Sequence, residues 1–255
     1  MSRYWDEGFY SQPTTSELKQ KSEASRKKAE KKGKTLEPVV IQGRGIASSW
    51  WGRAWCANLE RYADFESRLG RGKRYVRTGA VIDLKIGKGK ILAKVQGSRK
   101  TPYKVEIRIS PLSEERCQEI LGKYGQRVEN LEKLLAGDFP VELKELFTER
   151  DGLFPSPREI SFSCNCPDWA LMCKHVAAAL YGIGARLDEN PSLFFELRGI
   201  EVGRVVDVAI ANRVELMLKN AGGKSARIIR DEKILELFGV GHYQRKRSGT
   251  RSPMS

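Results

Sequence analysis

Twelve consecutive residues, Cys164 to His175, hold three of the chain's five cysteines and one of its two histidines. Their spacing is Cys164-Asn165-Cys166, six further residues, then Cys173-Lys174-His175. Two thiolates one residue apart can reach a single metal ion where the chain bends, and Pro167-Asp168 supplies the bend. Upstream, Arg158 to Ser163 alternates as a strand with Ile160 and Phe162 on one side, delivering Cys164 and Cys166 at its end. Downstream, the apolar run Val176 to Leu187 reads as a helix, so Cys173 and His175 come from its start. The pattern predicts a β-hairpin-and-helix finger. Three sulfurs and one imidazole fill a tetrahedral zinc shell at about 2.3 Å and about 2.0–2.1 Å, with no position open for water or substrate, so one structural zinc ion is expected. An odd number of cysteines does not suit a disulfide framework. A redox role for Cys164 and Cys166 alone leaves Cys173 and His175 without a purpose.

The same stretch resembles the SWIM zinc-finger family, whose pattern is C-x-C, a variable gap, then C-x-H. Pro167-Asp168-Trp169 and Lys174-His175 followed by Ala177, Ala178 and Leu180 match the common form of that motif, over about Ser161 to Tyr181. Elsewhere, SSWWGRAWCANLE and PSLFFELRG resemble prokaryotic SWIM-containing proteins more loosely. The resemblance implies a role in DNA binding or protein–protein contact, beside helicase-like remodelling ATPases or recombination factors. This chain has no motor of its own.

Along the rest of the chain the pattern is α+β: an antiparallel β-meander with helices, then the small ββα finger and C-terminal helices. Residues 1–38 read as a basic arm, flexible or helical on a polyanion, because Lys19 to Lys34 is nearly all cation. Residues 39–157 read as an α+β domain. Its first helix is capped by Ser48 or Ser49 and carries Trp51, Trp55, Leu59 and Tyr62 on one core-facing stripe. Three strands are predicted, about Tyr75–Ile86, Lys90–Gln96 and Tyr103–Ile109, then helices over Ser113–Tyr124 and Gln126–Ala136 and a short turn within Glu142–Glu149. The finger spans 158–200, with Pro191–Leu197 as a helix over it. Helices at Val205–Asn220 and Lys224–Leu237 fill 201–244, and 245–255 is a disordered basic tail.

The chain of 255 residues carries 46 Lys and Arg against 32 Asp and Glu, a formal net charge of +14. Such an excess favours polyanionic partners. From Arg68 to Lys104 Asp83 is the single acid, so Arg71, Lys73, Arg74, Arg77, Lys85, Lys88 and Lys94 form the candidate nucleic-acid surface, with Lys174 on the finger. DNA is preferred over RNA as the partner. The expected role is a non-catalytic, zinc-binding nucleic-acid accessory protein; the alternative is an adaptor that docks on a helicase-like ATPase. Gly222-Gly223-Lys224-Ser225 ends like a phosphate-binding loop, but Leu218 stands where its first glycine belongs. His242, in a basic tail, suits no catalytic set. No small-molecule substrate is expected. The polar N-terminus lacks a signal-peptide core and no apolar run has membrane length, so a cytoplasmic, chromosome-associated location is expected and no membrane partner.

Overall fold

The computed structural model describes residues 12–125, 144–149, 152–201 and scattered residues between 203 and 219. The fold is α+β. Four strands, β1 (Val81–Gly87), β2 (Lys90–Val95), β3 (Tyr103–Ile109) and β4 (Ile160–Cys164), form one antiparallel sheet in the order β1-β2-β3-β4. Strict alternation makes β3 a clear strand: Tyr103, Val105, Ile107 and Ile109 are buried, while Lys104 and Arg108 are exposed. The helices are α1 (Thr15–Glu30), α2 (Trp50–Glu60), α3 (Glu66–Arg77), α4 (Glu114–Gly125), α5 (Lys144–Thr148), α6 (Lys174–Glu189) and α7 (Leu193–Leu197).

Helix α6 packs against all four strands and against α2 and α3. Its residues from His175 to Ala185 are all buried, and a helix apolar all round belongs inside a core. Small residues on it allow close neighbours: a Cβ on Gly72 of α3 would lie 2.5 Å from Ala177 Cβ, so only glycine fits that crossing. Helix α2 is fixed by directional bonds, with Trp51 Nε1 donating to Leu187 O and Trp55 Nε1 to Leu180 O, both at 3.0 Å. Ser49 caps α2 as expected, accepting from Gly52 N, while Asp188 accepts from the backbone and hydroxyls of Ser48 and Ser49. A carboxylate at this N-terminus satisfies donors that the helix leaves open.

Several expectations are corrected. The first strand starts at Val81 and not at Tyr75, because Glu66 to Arg77 is helical and Gly79, at φ +69°, turns the chain into the sheet. A bulge between Val81 and Asp83 also buries Ile82. The basic segment expected as a flexible arm includes α1, which has a Thr14/Glu17 capping box and buries Leu18 and Ser22. It is tied to the loop after β2 by Ser25 Oγ donating to Gln96 Oε1 (2.7 Å) and Lys21 Nζ donating to Ser98 O (3.1 Å). The finger segment has no hairpin of its own: β4 pairs with β3 of the meander, so 39–157 and 158–200 share one sheet. Helix α7 forms, but its Phe194 packs on Trp55, Phe147 and Phe154, away from the cysteines. The described residues up to Ala211 belong to one compact unit. In the second unit, 214–255, the described residues Val214, Glu215, Met217, Leu218 and Lys219 are helical. The predicted helices at Gln126–Ala136 and Lys224–Leu237, the glycine string near 222, His242 and the tail lie outside the described residues.

Arg198, after α7, is wholly buried, and its guanidinium donates to Ser110 O (2.8 Å) and pairs with Glu159. The pair joins the exit of β3 to the entry of β4. Burial raises the Glu159 carboxyl, but hydrogen bonds from Ser156 and Arg198 outweigh it and hold the group below its ordinary range. A depressed carboxylate contributes stability above its unfolded pKa and loses it as pH falls through the folded value. Glu159→Gln is therefore expected to cost about 3 kcal/mol near neutral pH, the low end for breaking such a pair because Glu159 is 25% exposed. Denaturant unfolding at a series of pH values should show this gap closing below the ordinary carboxylate range.

Candidate metal centre

Cys164, the last residue of β4, and Cys166 in the bend beyond it face Cys173 and His175 at the start of α6. Their ligand atoms all lie within 4.8 Å of one another, with His175 Nδ1 at 3.9 Å from both Cys164 Sγ and Cys173 Sγ. A tetrahedral zinc shell with the usual bond lengths has ligand–ligand edges of roughly 3.5–3.8 Å, which the two 3.9 Å approaches of His175 nearly match. Cys173 is the N-cap of α6, where the positive end of the helix dipole favours a thiolate.

Hydrogen bonds from Cys164 and Cys173 hold the Cys166 thiol far below its usual range, and donation to Cys166 pushes Cys164 far above it. Cys173, lowered by Cys164 but raised by Cys166 and by burial, ends at about 11. Burial lowers the His175 pKa and keeps its imidazole neutral, the form a metal needs.

The walls of the site come from distant parts of the chain. The His175 ring stacks on Tyr103 of β3, with centroids 4.0 Å apart and planes at 24°, and Tyr75 of α3 meets it edge-on at 5.5 Å. Gly97 lies against both rings: a Cβ there would sit 2.6 Å from Tyr103 Cε2 and 3.0 Å from His175 Nε2. The loop between Cys166 and Cys173 is bound to α3 and the turn before it. Asp168 pairs with Arg68 at 2.9 Å, and Asp64 accepts from Leu171 N (2.8 Å) and Met172 N (3.3 Å). Tyr75, Tyr103, Gly97, Asp64 and Arg68 were not singled out as site residues from the sequence. The buried Gly97, between a strand and a charged loop, was the one signal of close backbone approach.

The loop also exposes large apolar side chains. Trp169 is 81% and Leu171 77% exposed, and the Trp169 indole meets Phe65 edge-on at 5.3 Å. Cys56, beside α6, is a neutral packing group whose thiol is pushed up to about 12 by burial and by Glu60 and Asp188.

The proposed nucleic-acid residues are spread over several elements. Arg71, Lys73, Arg74 and Arg77 belong to α3, which packs on α6; Lys85, Lys88 and Lys94 belong to β1, the turn after it and β2; Lys174 opens α6. Lys73 is held by Glu60 at 2.8 Å and lies over the Tyr181 ring, while Arg77 donates to Arg44 O at 2.8 Å. Lys94 is paired with Asp83.

No family model and no solved structure matches this chain. It is similar to "Uncharacterized protein Rv2102" of Mycobacterium tuberculosis (strain ATCC 25618 / H37Rv), 36% identical over 158 residues. The match covers 61% of this chain and 57% of that relative, whose name assigns no activity. What the described residues define is an α+β protein with a four-ligand Cys₃His cluster at the junction of its sheet and its central helix.

Gly97→Ala tests how tightly the walls set the cluster. The added methyl must displace Tyr103 or His175, and overpacking of this kind costs about 1–3 kcal/mol. Thermal unfolding should shift down and metal retention through dialysis should fall together; unchanged values for both would contradict the packing account.

Proposed function

We propose that this chain is a zinc-binding, non-catalytic nucleic-acid accessory protein whose SWIM-type finger fixes the fold. The observation that carries the zinc reading is the donor set: three sulfurs and one neutral imidazole within 4.8 Å of one another, a soft combination that zinc prefers and that fills a tetrahedral shell with no site left for water. The nucleic-acid reading is supported by the net charge of +14 and by exposed cations on α1, on α3 and on the sheet. DNA is the preferred partner in this reading and the chromosome the place of work. Among the described residues no helix is long and apolar enough to cross a membrane.

A second reading is favoured by one observation. Trp169 and Leu171, presented to solvent beside Phe65, have the character of a protein-interface anchor, which suits an adaptor docking on a helicase-like ATPase.

One preparation decides between these readings. Purified protein should carry about one zinc per chain, and Cys173→Ser or His175→Ala should lose metal and folding together, since metal binding free energy here is folding free energy. The same protein, titrated against duplex and single-stranded DNA and RNA, should bind with an affinity that falls steeply as salt rises. Well-folded protein with less than half an equivalent of zinc rejects the metal reading. Absence of salt-dependent binding to every nucleic acid moves the account to the adaptor.

A further inference from the structure

Helix α6 covers one face of the sheet, and the opposite face carries cations in register. Cross-strand pairing sets Lys90 opposite Arg108 and Lys94 opposite Lys104, with Lys85 opposite Leu92. Side chains directly opposite on antiparallel strands are about 4.5–5.5 Å apart at Cβ, so like charges there repel. Two carboxylates share this face: Asp83 takes Lys94, and Glu106 is divided between Arg108 at 2.6 Å and Lys90 at 3.3 Å. Lys85 and Lys104 are exposed and have no acidic partner among the described residues. Exposed Lys88, in the turn after β1, and exposed Arg99 and Lys100, in the loop after β2, extend the positive field past both ends of the strands.

The rest of the face narrows what can lie on it. Leu92, 46% exposed, is its large apolar side chain, and exposed Ser161 and Ser163 complete it on β4 opposite Arg108 and Glu106. None of these outward residues is aromatic, so unpaired bases find no stacking platform here. Cations and hydroxyls without rings match phosphate oxygens, the groups that position a protein on a duplex without revealing its sequence. On α3, by contrast, Arg68 and Lys73 are already neutralised by Asp168 and Glu60.

We infer that this outward sheet face, and not helix α3, holds the phosphate backbone of double-stranded nucleic acid through Lys85, Lys90, Lys104 and Arg108. The inference rests on the nucleic-acid reading above and adds the surface and the form of the ligand. Lys90, Lys104 and Arg108 were not among the residues singled out from the sequence.

The test is a fluorescence-anisotropy titration of the full chain with a short mixed-sequence DNA duplex and with one of its strands, over a range of NaCl concentrations. Each cation–phosphate pairing removed lowers the slope of log K against log salt by about 0.9 on duplex DNA. The triple variant Lys90→Gln, Lys104→Gln, Arg108→Gln should lower it by roughly 2 to 3, and the double variant Lys85→Gln, Lys104→Gln, which breaks no ion pair, by roughly 1 to 2. Arg71→Gln with Arg77→Gln should leave the slope near that of the unmodified protein. Thermal unfolding and metal content of the double variant should not change. Salt-dependent duplex binding that survives both sheet variants, or that disappears in the α3 variant, overturns this surface while leaving the nucleic-acid reading standing. Binding confined to the single strand overturns the choice of duplex. No binding by the unmodified protein removes the reading and the surface together.

Discussion

The burial of α6 is the constraint on which the other elements depend. A sixteen-residue helix with apolar residues on every side must be enclosed, and one sheet face plus α2 and α3 enclose it. Its N-terminus is also where two of the four candidate metal-ligating side chains stand, with the other two at the end of β4 and in the bend after it. The cluster therefore stands where the last strand comes up against the start of the central helix. A cation held there would link the last strand to the central helix, and the His175–Tyr103 stack would extend the link to β3.

Charge is arranged around this core in two ways. Around the core, acids and cations are matched: Arg68 with Asp168, Lys73 with Glu60, Arg198 with Glu159. The first and last of these pairs join segments far apart in sequence, and their partly buried settings give them more weight than exposed pairs have. On the outward sheet face the carboxylates are outnumbered and like charges stand opposite one another. A fold selected for stability alone gains nothing from that arrangement, which is why it carries the functional argument.

The ligand set was legible because its information is local: four ligating residues in twelve, with a turn between the pairs and an apolar run after them. The alternation of Tyr103 to Ile109 and the Ser49 cap were legible for the same reason. Helix α3 was not. Gly70 and Gly72 each cost about 1 kcal/mol of helix propensity, and Tyr75-Val76 begins a β-like apolar run, so the strand was expected too early. What overrides propensity is tertiary: Gly72 is the residue that lets α3 reach Ala177. The partner of β4 was also hidden, because β3 is separated from it by residues 110–159 and pairing at that distance leaves no local pattern. The partners of Asp64, Asp188 and Arg198 lie far away in sequence, so only the fold brings them together.

The central claim is that the metal cluster is part of the core and not an appended finger. Hydrogen exchange measured by mass spectrometry, before and after metal removal with a chelator, tests it most directly, since exchange reports the free energy of local and global opening segment by segment. The account predicts that removal strips protection from β4 and α6 and also from β3 and α3, the elements that enclose them. Loss of protection confined to residues 164–175, with α6 and β3 unchanged, would contradict it.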